Sequence, residues 1–276
     1  MIRRILLPLD NSSYTEAALA YAAKIARRDD AEVSGMVVLD IPGISDSVGP
    51  YVPGGVDLAE MYEETEIEKA QEHIDKILKA FKSTLGRSHI KHREFEYQGS
   101  PGSNIIKESF FYDLLVIGLR TFFHFETSDK PGDSLEKILD HTITPILAVP
   151  DHFKEIKKVL IVCDATPASA RAMQRFSHIA EGANYEITLL VHNKKQEEAE
   201  FYLNRAEEYL SAYGTTKIHK EWTSHSLTKV IEEKYIGETD LIVIGMHQHK
   251  SLKEFVVGDL ITYLIKENSK PLFIVQ

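Results

Sequence analysis

The run Asp113-Leu114-Leu115-Val116-Ile117-Gly118 returns almost unchanged as Asp240-Leu241-Ile242-Val243-Ile244-Gly245. No other feature limits the fold so strongly. Each copy is an unbroken apolar stretch of strand length that stops at a glycine, the pattern of a strand covered on both faces. Each is followed by a shorter apolar run opened by proline, Pro145-Ile146-Leu147-Ala148-Val149 and Pro271-Leu272-Phe273-Ile274-Val275. Between them stand Gly132-Asp133 and Gly258-Asp259, each opening a helical pattern. Gly132 to Gly258 and Pro145 to Pro271 are both offset by 126 residues, so the C-terminal thirds of the two copies are in register. Strand, glycine-marked loop, helix N-terminus and strand is the layout of a phosphate-cradling βα unit. The chain reads as an internal duplication whose function lies in the loops after Gly118 and Gly245.

A length of 276 residues fits two ordinary domains, and 43% hydrophobic residues can fill two cores. The net charge of −10 argues against nucleic acid and against an anionic membrane as partner. The single cysteine, Cys163, excludes an intrachain disulfide and fits a reducing compartment. It lies inside Val159-Leu160-Ile161-Val162-Cys163, where core packing is its expected role. The opening Met1-Ile2-Arg3-Arg4-Ile5-Leu6-Leu7 is too short an apolar run for a signal peptide and reads as a first strand. No run approaches the roughly 20 apolar residues of a spanning helix. A cytoplasmic location is expected.

In chain order the first half gives a strand at 4–9, a helix to Arg28 and a strand at 33–39. Residues 41–56, with three prolines and several glycines, read as a loop too broken to be regular. A long amphipathic helix follows at 59–85, its Glu66/Lys69 and Glu72/Lys76 pairs read as a solvated face. A weakly alternating strand at 91–97, a helix at 101–111 and the repeated strand complete the pattern. The second half repeats it: strands at 158–164, 186–192 and 217–223 alternate with helices at 167–181, 194–213 and 227–234. The order βαβαβαβαβ specifies a parallel sheet with right-handed crossovers and helices on both faces.

Two signatures now stand together. After strand one the halves read Leu6-Leu7-Pro8-Leu9-Asp10-Asn11-Ser12 and Leu160-Ile161-Val162-Cys163-Asp164-Ala165-Thr166. After strand four they approach G-x2-G-x9-G-[ST], then a helix and a proline-led strand. With both, the chain resembles the universal stress protein family in its tandem two-domain form, over essentially its whole length. The resemblance implies two repeated five-stranded parallel-sheet α/β domains of Rossmann-like, adenine nucleotide alpha hydrolase-like type, related by a pseudo-twofold. They would span residues 1–151 and 156–276, with the strand at 146–149 paired to that at 272–275. It also implies an adenine nucleotide, ATP or a relative, contacted by Asp164, Val191, Gly245, Gln248, Gly258 and Asp259. The matching positions of the first half are Asp10, Val38, Gly118 and Gly132. The glycines admit phosphate close to backbone N–H groups, the helix start favours its charge, and the aspartate accepts from adenine or ribose.

Both halves depart from the signature. Gln248 replaces the middle glycine and Asp259 the hydroxyl residue in the second. The first has one residue too many, Thr121 for glycine, Asp133 for the hydroxyl, and Phe122-Phe123-His124-Phe125-Glu126 in its loop. An aspartate at a helix start satisfies the dipole by itself and repels phosphate, at a cost on the order of 1 kcal/mol. Triphosphate binding should therefore be weakened, more so in the first half.

Asp10 and Asp164 are equally readable as nucleotide contacts and as caps of the next helix. His247 and His249 have no third partner in sequence, so no metal is expected. Arg120 and Lys250 read as solvated. The Phe122–Phe125 cluster reads as cover for an empty cleft or for the other half, with a partner-binding patch as the alternative. Residues 41–56, with Tyr51, read equally as a lid over that cleft and as a disordered excursion. The expected function is a stress-associated regulatory or binding protein sensing an adenine nucleotide, with a homodimer open and weak ATPase activity at most. A scaffold acting through protein partners is the alternative class. Adenylyl transfer or pyrophosphate release would need His-x-Gly-His or Ser-Gly-Gly-x-Asp-Ser after strand one, and neither occurs.

Overall fold

The computed structural model describes residues 1–48, 56–121, 133–246 and 256–276. The chain divides into two compact units, Ile2–Thr142 and Ile143–Gln276. The first contains β1 (Arg4–Pro8), α1 (Ser13–Asp29), β2 (Glu32–Leu39), α2 (Ile41–Val48), α3 (Val56–Arg87), β3 (His92–Gln98), α4 (Pro101–Ser109), β4 (Leu114–Gly118) and α5 (Asp133–His141). Its strands run in the order β3-β2-β1-β4, all parallel, with Ile5 between Val33 and Leu114. β4 is buried along its whole length, as an uninterrupted apolar run between two helical layers must be. The weak alternation of β3 has a simple cause: it is the edge strand, and most of its side chains are half or fully exposed.

The second unit holds β5 (Ile146–Val149), β6 (Lys158–Cys163), α6 (Pro167–Ala180), β7 (Glu186–His192), α7 (Gln196–Ala212), β8 (Lys217–Thr223), α8 (Leu227–Val230), β9 (Leu241–Gly245), α9 (Val256–Glu267) and β10 (Leu272–Val275). A π-helical turn, Ile231–Tyr235, ends the segment expected to be one plain helix. The strand order is β5-β10-β9-β6-β7-β8. Every pairing in it is parallel except β5 with β10, which is antiparallel with Phe273 opposite Leu147. Compactness thus divides the chain ahead of β5, although the sequence repeat runs on through it, because β5 hydrogen-bonds to the last strand. The unit Ile2–Thr142 keeps four strands where a five-stranded domain is expected.

The aspartate that opens each copy of the repeat fixes where strands begin. Asp113 Oδ2 accepts the N–H groups of Arg3 (2.8 Å) and Arg4 (3.0 Å). Asp240 Oδ2 accepts those of Lys157 and Lys158, both at 3.0 Å. The carboxylate so satisfies backbone donors at the start of the neighbouring strand that the ladder leaves over. Burial pushes the Asp240 carboxyl up, but the Lys154 ammonium, 2.8 Å away, and the two N–H groups outweigh it, and its pKa is lowered. A lowered folded pKa stabilises above the unfolded value of about 3.9 and is lost as pH falls through the folded one. Asp240→Ala should cost about 1–3 kcal/mol at neutral pH. Urea titrations of both proteins should show the difference shrinking below about pH 4, as the wild-type carboxyl protonates.

Two expectations on the first half need correction. Residues 41–48 are helical, not irregular. Asp40 caps them, its Oδ1 accepting from Gly43 N at 3.2 Å, and Pro42 sits in the first turn, where its missing N–H costs nothing. Ile44 is buried and Ser45 Oγ donates to Glu63 on α3 at 2.5 Å, so the helix is fixed by packing. Tyr51 lies outside the described residues. The second correction concerns α3: Glu72 and Lys76 are solvated, but Glu66 is buried, 5% exposed, with Lys69 on its carboxylate at 2.7 Å. Further along α3 the Phe81 ring seats on β2 at Gly35, where a Cβ would come within 2.8 Å of it.

Candidate functional site

In an open parallel sheet, ligands bind beyond the C-terminal strand ends, where the strand order reverses. That point lies between β1 and β4 in the first unit and between β6 and β9 in the second. The candidate residues gather there. Asp10 follows β1, Val38 is next to last in β2, and Gly118 ends β4. Asp164 follows β6, Val191 is next to last in β7 and pairs with Cys163, and Gly245 ends β9. Val38 and Val191 are fully buried in the sheet. Gly258 and Asp259 fall inside the first turn of α9, which begins at Val256 rather than at the glycine, and Asp259 is exposed. Gly132 and Gln248 lie outside the described residues, as do Phe122–Phe125, His247, His249 and Lys250. Arg120 is described and is half-buried rather than solvated.

The two aspartates differ. Asp10 is 1% exposed, and its Oδ1 accepts from Ser12 N (3.2 Å), Ser12 Oγ (2.6 Å) and Thr15 Oγ1 (2.6 Å). Thr15 Oγ1 in turn accepts from Asp10 N at 2.9 Å, closing the turn. Asp164 is half-buried, and its Oδ1 accepts from Thr166 N (3.2 Å) and Thr166 Oγ1 (2.5 Å). Ser169, the counterpart of Thr15, directs its hydroxyl to Thr166 O instead, at 3.0 Å. Thr166 also caps α6, accepting from Ser169 N. Neither aspartate is the cap residue itself; each organises the turn before the helix.

The glycines differ as well. A Cβ on Gly245 would lie 2.3 Å from the carbonyl carbon and oxygen of Ala168. A Cβ on Gly118 would meet the Tyr14 side chain, Cβ at 2.4 Å and Cγ at 3.0 Å. Tyr14 is the counterpart of Ala168 and is buried, so a side chain crowds the strand tip in the first unit where helix backbone does in the second. Sequence reading missed Tyr14 and Thr15, although their signal was present: the offset that aligns Asp10 with Asp164 aligns these residues with Ala168 and Ser169.

Residues 1–150 match the family model described as the universal stress protein family. The chain belongs to that family. A universal stress protein of Synechocystis sp. is 20% identical over 282 residues, covering 98% of each chain. Among solved structures, a universal stress protein from Archaeoglobus fulgidus is similar over 99% of this chain and 98% of its own, with TM-score 0.70 and 18% identity. A putative universal stress protein from Pseudomonas aeruginosa covers 99% and 93%, with TM-score 0.62 and 14% identity. At such identities the structures establish a shared α/β fold, here of the universal stress protein in tandem form. Among the described residues no helix is long and apolar enough to cross a membrane, and no group of three or more metal-ligating side chains occurs.

Proposed function

We propose that this universal stress protein is a cytoplasmic regulatory binding protein, not an enzyme, that takes an adenine nucleotide at the β6–β9 switch point of its second unit. The observation that carries this reading is the contrast between the aspartates. Asp10 is closed off from solvent, 1% exposed, whereas Asp164, whose Oδ1 also accepts from a hydroxyl and an N–H, stays half-buried at the end of β6. An adenine amino group or a ribose hydroxyl needs such an acceptor. Gly245 keeps the strand tip free of a side chain beside it. Asp259, exposed in the first turn of α9, sets a negative charge where phosphate would gain from the helix dipole. Nucleotides with fewer phosphates are therefore favoured relative to ATP.

Thermal melting with ATP, ADP, AMP and adenosine tests this. A ligand that binds the native state raises its stability by RT ln(1 + [L]/Kd), so millimolar concentrations expose even weak sites. The expected result is an upward shift, larger for AMP than for ATP, abolished by Asp164→Ala and retained in Asp10→Ala. No shift with any of the four ligands rejects the reading. That outcome favours the alternative, a scaffold acting on protein partners, which the acidic first turn of α9 also supports.

A further inference from the structure

Between α6 and α7 lies a second feature. Ala168 faces β9, whereas Ala170 and Met173, further round the helix, face α7. Between them a cleft of about 230 Å³ opens over the end of β6. Its floor is Cys163, Met173 and Ala206, all buried, and its rim carries Tyr202 and Tyr209 from α7. Small side chains, Ala165, Ala170 and Ala206, stand where larger ones would close the gap.

Several polar groups around the cleft already have partners within the protein. Thr166 Oγ1 donates to Asp164, and Ser169 Oγ donates to Thr166 O. Tyr209 Oη is 3.3 Å from His178 Nε2. Arg205 Nη1 donates to Glu208 at 2.8 Å, and its guanidinium stands 5.8 Å from the Phe201 ring. Burial, with the negative charge of Asp164, pushes the Cys163 thiol up to about 12, so it is a neutral, soft wall and not a nucleophile. Inside the mouth, what remains to meet a ligand is carbon, sulfur and tyrosine ring. Rings and thioether favour a flat aromatic guest over an aliphatic one.

We propose that the α6–α7 cleft is a binding site for a small, uncharged aromatic molecule of about the size of indole. It adjoins the candidate nucleotide site through Ala165, Thr166 and Ser169 but does not depend on that reading. An ion entering the cleft would find no buried counter-charge, because the guanidinium of Arg205 stands in solvent beside Glu208. Exposed Phe201 and Tyr202, packed edge to face at 5.6 Å beside the opening, extend the aromatic surface at its mouth.

Isothermal titration calorimetry of the intact protein with indole, and with benzoate as the charged counterpart, tests this. Indole should bind saturably at one molecule per chain, and benzoate should give no binding heat. Ala170→Trp, at an exposed position on the rim, should abolish indole binding while leaving any nucleotide-induced melting shift intact. If that variant does not fold, Ala206→Leu fills the floor and serves the same purpose. The proposal is overturned if indole heats do not saturate, if benzoate binds equally, or if indole binding survives in the folded filled variant.

Discussion

Gly245→Ala is expected to be among the most damaging single-methyl additions to this protein, costing about 3 kcal/mol, the upper range for overpacking. The reason is the identity of the obstacle. The new Cβ would lie 2.3 Å from Ala168 C and O and 2.5 Å from Ser169 N, all backbone atoms of the first turn of α6. A side chain can rotate away; a helical turn that also carries the Thr166 cap and the Asp164 network cannot move without carrying them along. Urea unfolding gives the size of the effect, and a loss under 1 kcal/mol would show that α6 slides freely over β9. Gly118→Ala makes the comparison: its closest clash is with Tyr14 Cβ at 2.4 Å, an atom that Tyr14→Ala keeps, so that change should relieve little of the loss and Tyr14→Gly more of it.

Phe81→Ala should cost about 3–5 kcal/mol, the range for removing a buried aromatic ring. Phe81 is 1% exposed and is among the largest fully buried side chains. It seats on Gly35, whose added Cβ would meet three ring carbons at 2.8–2.9 Å. Glycine is required at that point by the ring, because its own φ is not in the left-handed region. Gly35→Ala alone should therefore destabilise by about 1–3 kcal/mol. In the Phe81→Ala background the same change should be neutral or favourable, since the methyl enters space the ring has left. A double-mutant cycle by chemical denaturation reads the coupling directly. Additive losses would mean that α3 and β2 are not held by this contact.

The sheet was legible in the sequence because it is written in the backbone's own terms. Unbroken runs such as Leu114–Gly118 and Leu241–Gly245 become strands buried on both faces, and their repetition places the switch points. Convergence of Asp164, Val191 and Gly245 at neighbouring strand tips follows from that order alone. What escaped depends on partners distant in sequence. Prolines and glycines at 41–48 read locally as breakers, yet the Asp40 cap and the packing of Ile44 make a helix. Glu66 reads as solvated by its spacing to Lys69, but tertiary packing buries it. The unequal settings of Asp10 and Asp164 turn on whether one hydroxyl, Thr15 or Ser169, faces the carboxylate or the carbonyl before it. The α6–α7 cleft is a gap between alanines of two helices, and no local pattern announces a gap.

The antiparallel pairing of β5 with β10 has a consequence for how the chain can be divided. The sequence marks a seam between residues 151 and 156, where one copy of the repeat ends. Separating the chain there would take β5 away from its partner and leave Leu272–Val275, a wholly apolar segment, as a bare rim of the sheet. A bare apolar rim recruits other strands indiscriminately. The seam that is easiest to see in the sequence is thus a poor place to cut, and the two copies, once joined, are not separable modules.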